Sequence, residues 1–135
     1  MDDIKALREE TKKLTLLYVE DENEVRAQTK EFFSKYFKQV DDAANGKDGL
    51  ELFEAQPYDV VISDLKMPVM GGEAMLETIR KQDKRVVLVT MSGVSGSNGW
   101  TNNVSDFSLP KPGTMELFIQ MLETVVKLLK ERSTL

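Results

Sequence analysis

Short apolar runs alternate along this chain with longer stretches of helical periodicity. Leu16-Leu17-Tyr18-Val19 and Val60-Val61-Ile62 are unbroken apolar runs and predict buried strands at 14–19 and 59–64. Further runs predict strands at 39–43, 86–91 and 106–109. Between them, Val25, Thr29, Phe32, Phe33 and Tyr36 recur at helical spacing. Residues 48–55 carry Leu50, Leu52 and Phe53, and residues 71–81 carry Met75, Leu76 and Ile79, each set on one helical side. The clearest helix is the last one. Met115, Phe118, Ile119, Leu122, Val125, Val126 and Leu129 form its stripe, and Thr114 after Gly113 supplies an N-cap. Residues 2–13 predict a short leading helix with Ile4, Leu7 and Leu14 on one side. Asn45-Gly46 is a turn signal. Residues 92–105, rich in Gly, Ser and Asn around Trp100, have weak periodicity and read as a loop with at most a short helix.

Strand and helix in strict alternation imply a parallel sheet covered on both faces, a doubly wound α/β domain of five strands and about five helices. The pattern divides the chain into an N-terminal extension, residues 1–13, and a domain proper, residues 14–131, with no internal repeat. In open α/β sheets ligands bind beyond the C-terminal strand ends, where the strand order reverses. In the order 2-1-3-4-5 the reversal falls between the first and third strands. Those strands run directly into Glu20-Asp21-Glu22 and Asp64.

Carboxylates brought together in a crevice repel one another, and a divalent cation relieves the repulsion. Ligation by oxygen alone favours Mg²⁺, with Mn²⁺ as the other candidate, over zinc. A carboxylate such as Asp64 can also act as a nucleophile and form an aspartyl phosphate. An incoming phosphoryl group needs positive charge and hydrogen-bond donors. Lys111, between Pro110 and Pro112 after the fifth strand, supplies the charge on a restrained backbone. Ser92 before Gly93, or Thr90 two residues earlier, supplies a hydroxyl after the fourth strand.

Composition removes several alternatives. The 135 residues are 41% hydrophobic and 30% charged, which fits one globular domain. The net charge of −5 argues against direct nucleic-acid binding by bulk electrostatics. With no Cys and no His, thiolate sites, histidine bases and the usual zinc ligands are excluded. No apolar run reaches the roughly 20 residues that span a bilayer. The acidic start Met1-Asp2-Asp3 lacks a signal core, so the chain reads as cytoplasmic.

In these residues the chain resembles the receiver domain of two-component response regulators, the single-domain chemotaxis regulators among them. The matching pieces are Glu20-Asp21, Asp64-x-x-Met67-Pro68-x-x-x-Gly72, Ser92-Gly93 and Lys111-Pro112, with Ala44-Asn45-Gly46 as a further turn, over roughly residues 14–130. The resemblance implies a flavodoxin-like fold with Asp64 as phosphoacceptor, charged by a sensor histidine kinase or a phosphotransfer protein. It implies that Glu20, Asp21, Asp64 and the backbone carbonyl of Lys66 hold Mg²⁺, and that Ser92 and Lys111 hold the phosphoryl oxygens. The missing histidine would sit on the partner. The output would be a downstream protein or a fused output domain, with a monomer or a phosphorylation-dependent dimer as the active form. The only catalysis implied is the domain's own phosphorylation and slow dephosphorylation.

The chain departs from the family in two places. Residues 94–103 replace the usual fourth helix with Gly, Ser and Asn, and the switch-aromatic position three residues before Lys111 is Ser108, with Phe107 beside it. Ser92 and Phe107 are therefore the switch candidates. Two other functions compete. One is a scaffold that keeps the fold without taking phosphate. The other is an Mg²⁺-dependent aspartyl phosphatase, against which Lys66 stands where a general acid would follow the nucleophile by two residues. Met67, Met70, Met75 and Met91 read as packing, and Trp100 as either a local cover or a partner anchor.

Overall fold

The computed structural model describes residues 2–92, 104–111 and 113–133. Strands β1 (Thr15–Val19), β2 (Gln39–Ala43), β3 (Val60–Asp64), β4 (Val87–Ser92) and β5 (Phe107–Pro110) form one parallel sheet in the order β2-β1-β3-β4-β5. Among the described residues there are five helices: α1 (Asp2–Thr11), α2 (Asn23–Phe33), α3 (Gly46–Ala55), α4 (Gly72–Gln82) and α5 (Met115–Arg132). Fold class and strand order are those expected. The expectation for residues 93–103, Trp100 included, lies outside the described residues. No described helix is long and apolar enough to cross a membrane.

The sheet is buried on both sides because its strands present two apolar faces. Leu16, Tyr18, Val60, Ile62, Val87 and Val89 pack with Phe33, Phe37, Phe118, Met121 and Leu122, under α2 and α5. Leu17, Val19, Val61 and Leu88 pack with Phe53, Met75, Leu76 and Ile79, under α3 and α4. The four methionines assigned to packing do pack: Met67, Met70 and Met75 on the second face and Met91 on the first.

Element starts follow local chemistry. Thr114 Oγ1 accepts from the Leu117 amide at 3.1 Å and caps α5 as expected. The Asn45-Gly46 pair is a helix start rather than a free turn. Asn45 Oδ1 accepts from the Asp48 amide at 2.8 Å, so α3 begins at Gly46, two residues before the expected start at residue 48. Two glycines are required by close approach. A Cβ on Gly46 would lie 2.5 Å from the Met70 carbonyl oxygen, and one on Gly72 would lie 2.1 Å from that of Asp64. Gly72 therefore lets α4 begin directly against the end of β3. The turn between them holds Val69 at φ 70°, exposed, in the left-handed region that branched residues avoid.

Candidate functional site

Parallel pairing sets the heights of the functional side chains. Val19 is level with Ser63, so Glu20 and Asp64 emerge together at the C-terminal edge. Asp64 is level with Met91, and Met91 with Leu109, so Lys111 follows two residues beyond that level. The Lys111 ammonium donates to Glu20 Oε1 at 2.7 Å and to Asp64 Oδ2 at 2.9 Å. Glu20 is 1% exposed and the Asp64 side chain 17%. The Glu22 amide donates to Glu20 Oε2 at 3.2 Å, and the Leu65 amide to Asp64 Oδ1 at 2.7 Å, which fixes both carboxylates. One carboxylate oxygen from each of Glu20, Asp21 and Asp64 lies within 4.8 Å of the others.

Burial pulls the Lys111 pKa down, but its hydrogen bonds to Glu20 and Asp64 and the charge of both acids outweigh this and raise it above the ordinary lysine value. The lysine is thus a fixed cation. Three crowded carboxylates with one ammonium leave a net negative pocket made of hard oxygen donors, a fit for Mg²⁺.

The other expected residues fall as follows. Ser92 ends β4 with its backbone level with Pro110, and its side chain lies outside the described residues. Thr90, the alternative hydroxyl, is level with Ser63, so it sits on the pleat opposite to Asp64, and it shares a 2.8 Å hydrogen bond with Ser108 Oγ. Lys66 is exposed in the turn that leaves Asp64, a turn closed by the Gly72 amide donating to the Leu65 carbonyl at 2.9 Å. Phe107 is half-buried against the α2–α5 face of the sheet.

One residue beside the site escaped the sequence reading. Arg26, in the second turn of α2, donates from Nη1 to the Glu20 carbonyl at 2.8 Å, from Nε to Asp42 Oδ2 at 3.0 Å and from Nη2 to Asn23 Oδ1 at 2.8 Å. Burial pushes the Asp42 carboxyl up, but Lys30 and Arg26 more than offset it and hold the group below the ordinary carboxylate value. The signal available was an arginine five residues after Asp21 and an acid inside a short strand, neither distinctive among many surface charges.

A doubly wound parallel sheet with an acid cluster and a lysine at its switch point belongs to the class of open α/β domains whose ligand crevice lies where the strand order reverses. Within that class the assignment is specific. The sequence profile of the response regulator receiver domain matches residues 16–123, and the chain belongs to that family. It is 27% identical over 125 residues to a probable chemotaxis protein CheY of Rhizobium etli, covering 87% of this chain and 96% of that one. It is 29% identical over 110 residues to the autoinducer 1 sensor kinase/phosphatase LuxN of Vibrio campbellii; the match covers 80% of this chain but only 13% of that protein's length. A CheY-like receiver domain structure from Methylobacillus flagellatus superposes with a TM-score of 0.73 at 26% identity, covering 83% of this chain and 98% of that one.

Proposed function

We propose that this domain is a phosphorylation-driven switch in which Asp64 takes a phosphoryl group from a phosphohistidine on a sensor kinase or phosphotransfer protein. The observation that carries the reading is the Glu20–Asp21–Asp64 cluster with Lys111 bonded to two of its members. A metal bound there supplies charge neutralisation for the transferring phosphoryl oxygens. Glu20, Asp21 and Asp64 would hold it, with the Lys66 carbonyl as a further donor. Asp64 Oδ2 attacks phosphorus, the phosphorus–nitrogen bond breaks, and its electron pair leaves on the donor imidazole, which takes up a proton. The Leu65 amide keeps the other Asp64 oxygen aimed, and Lys111 follows the charge onto the phosphoryl oxygens. Ser92 is the hydroxyl assigned to the same oxygens. The phosphorylated form presents an altered face to a protein target or a fused output domain. Ser92 and Phe107 are the assigned movers, and the setting is cytoplasmic.

The test is intact mass after incubation with acetyl phosphate and Mg²⁺. A metal-dependent gain of one phosphoryl group, absent in Asp64→Ala, is the expected result. A folded, Mg²⁺-binding chain that takes up no phosphate would instead be a receiver-like scaffold.

A further inference from the structure

Two of the pocket's acids, Glu20 and Asp21, sit on the turn that follows β1, and a turn needs something to hold it. The Glu20 amide is tied to β2 through the Ala43 carbonyl at 3.0 Å. Its carbonyl, on the other side of the residue, is held by Arg26 Nη1. Fixing that carbonyl fixes the plane of the Glu20–Asp21 peptide, and with it the direction in which the Asp21 side chain leaves the backbone. The guanidinium is itself immobilised by Asp42 from β2 and Asn23 from the start of α2, and its side chain is only 18% exposed. One planar fork thus joins β1, β2 and α2 behind the pocket, each nitrogen with a different acceptor, a pattern that a lysine cannot reproduce.

We infer that Arg26 is a positioning residue for the divalent cation: it acts through the Glu20–Asp21 peptide and touches neither metal nor phosphate. The inference rests on the metal reading proposed above. Charge and geometry pull in opposite directions here, which makes it testable. As a nearby positive charge Arg26 repels a cation, so its removal would tighten Mg²⁺ binding if electrostatics were its whole effect. As the anchor of the turn, its removal lets the Asp21 and Asp64 carboxylates drift apart and weakens binding.

The experiment is Mg²⁺ titration of the full chain without any phosphodonor, by calorimetry and by amide chemical shifts, with thermal unfolding to verify that each variant is folded. For Arg26→Ala the dissociation constant rises roughly tenfold, the usual scale for losing an outer-shell partner of a metal ligand. Arg26→Lys, which keeps the charge and loses the fork, weakens binding as well. Arg80→Ala is the control. That guanidinium bonds the Asp83 and Val86 carbonyls and Asp106, away from the acids, and its loss leaves Mg²⁺ affinity unchanged. If Arg26→Ala does not fold, Asp42→Asn removes one anchor of the fork and shifts affinity the same way by a smaller factor. Unchanged or tighter binding in Arg26→Ala, or wild-type affinity in Arg26→Lys, overturns the inference. A folded wild-type chain that binds no Mg²⁺ overturns the metal reading itself and this inference with it.

Discussion

Glu20 keeps a carboxylate almost wholly out of water, and Lys111 is what makes that tolerable. Replacing Lys111 with Met strands the buried charge. Breaking a buried pair costs several kcal/mol, and less when one partner is partly exposed as Lys111 is, so the expected loss is about 2 kcal/mol in urea unfolding. Millimolar Mg²⁺ should restore part of it, since a cation in the pocket takes over the lysine's task. Val69 is the opposite case, an exposed residue in a costly conformation. Val69→Asn should stabilise the chain by about 1 kcal/mol and raise Tm by roughly 3–5 °C. The sequence made Glu20, Asp21, Asp64 and Lys111 legible because each follows directly on an apolar run, and a charge at the end of a buried strand stands out. Arg26 and Val69 were not legible. The role of the first depends on three partners, two of them backbone or side-chain atoms of its own turn region and one on another strand. The strain in the second exists only once the turn around Met70 and Gly72 is built.

Among the elements, α1 departs most from an ordinary terminal appendage. Leu7 and Leu14 pack on the core, Thr11 is fully buried, and α1 lies against α5. Arg8 of α1 and Lys12 just beyond it serve the C-terminal end of α2, where carbonyls lack helical partners. Arg8 Nε donates to the Lys35 carbonyl at 2.7 Å and Lys12 Nζ to that of Ser34 at 3.1 Å, with the Arg8 guanidinium 5.7 Å from the Tyr36 ring centre. Removing residues 2–13 gives up the burial of Leu7 and these bonds. It should cost about 3 kcal/mol, read as a lower urea midpoint. Strand and helix identities were legible at this scale because the apolar periods are unmixed. Boundaries shifted by a residue or two, because caps and pairing set them rather than hydrophobicity. The start of α3 at Gly46 rests on the Asn45 cap, and the end of β4 at Ser92 on its pairing with β5.

For the molecule as a whole, the shifted groups set the pH range of stability. Burial pushes the Tyr18 hydroxyl from 10.0 up to about 12, and Lys111 is raised by its acids. Above pH 10 the unfolded chain releases protons that the folded chain retains, so stability falls as pH climbs from 10 toward 12. Below pH 10 neither group contributes a slope. On the acid side Asp42 is held below its ordinary 3.8, so its contribution is present above that value and lost as pH drops through its folded value. A plateau between about pH 5 and 9 is expected in urea midpoints. Tyr18→Phe should flatten the alkaline decline by about 2 kcal/mol, since two pKa units are involved and the ring is buried. The tight seat of Gly72 also acts at this scale. A Cβ at Gly72 would lie 2.1 Å from the Asp64 carbonyl oxygen, and the Gly72 amide donates to the Leu65 carbonyl at 2.9 Å, so backbone meets backbone where β3 ends and α4 begins. A movement of the Asp64 backbone toward Gly72 would press on the first residue of α4, which makes that helix the flank of the molecule nearest at hand to register a change in the pocket.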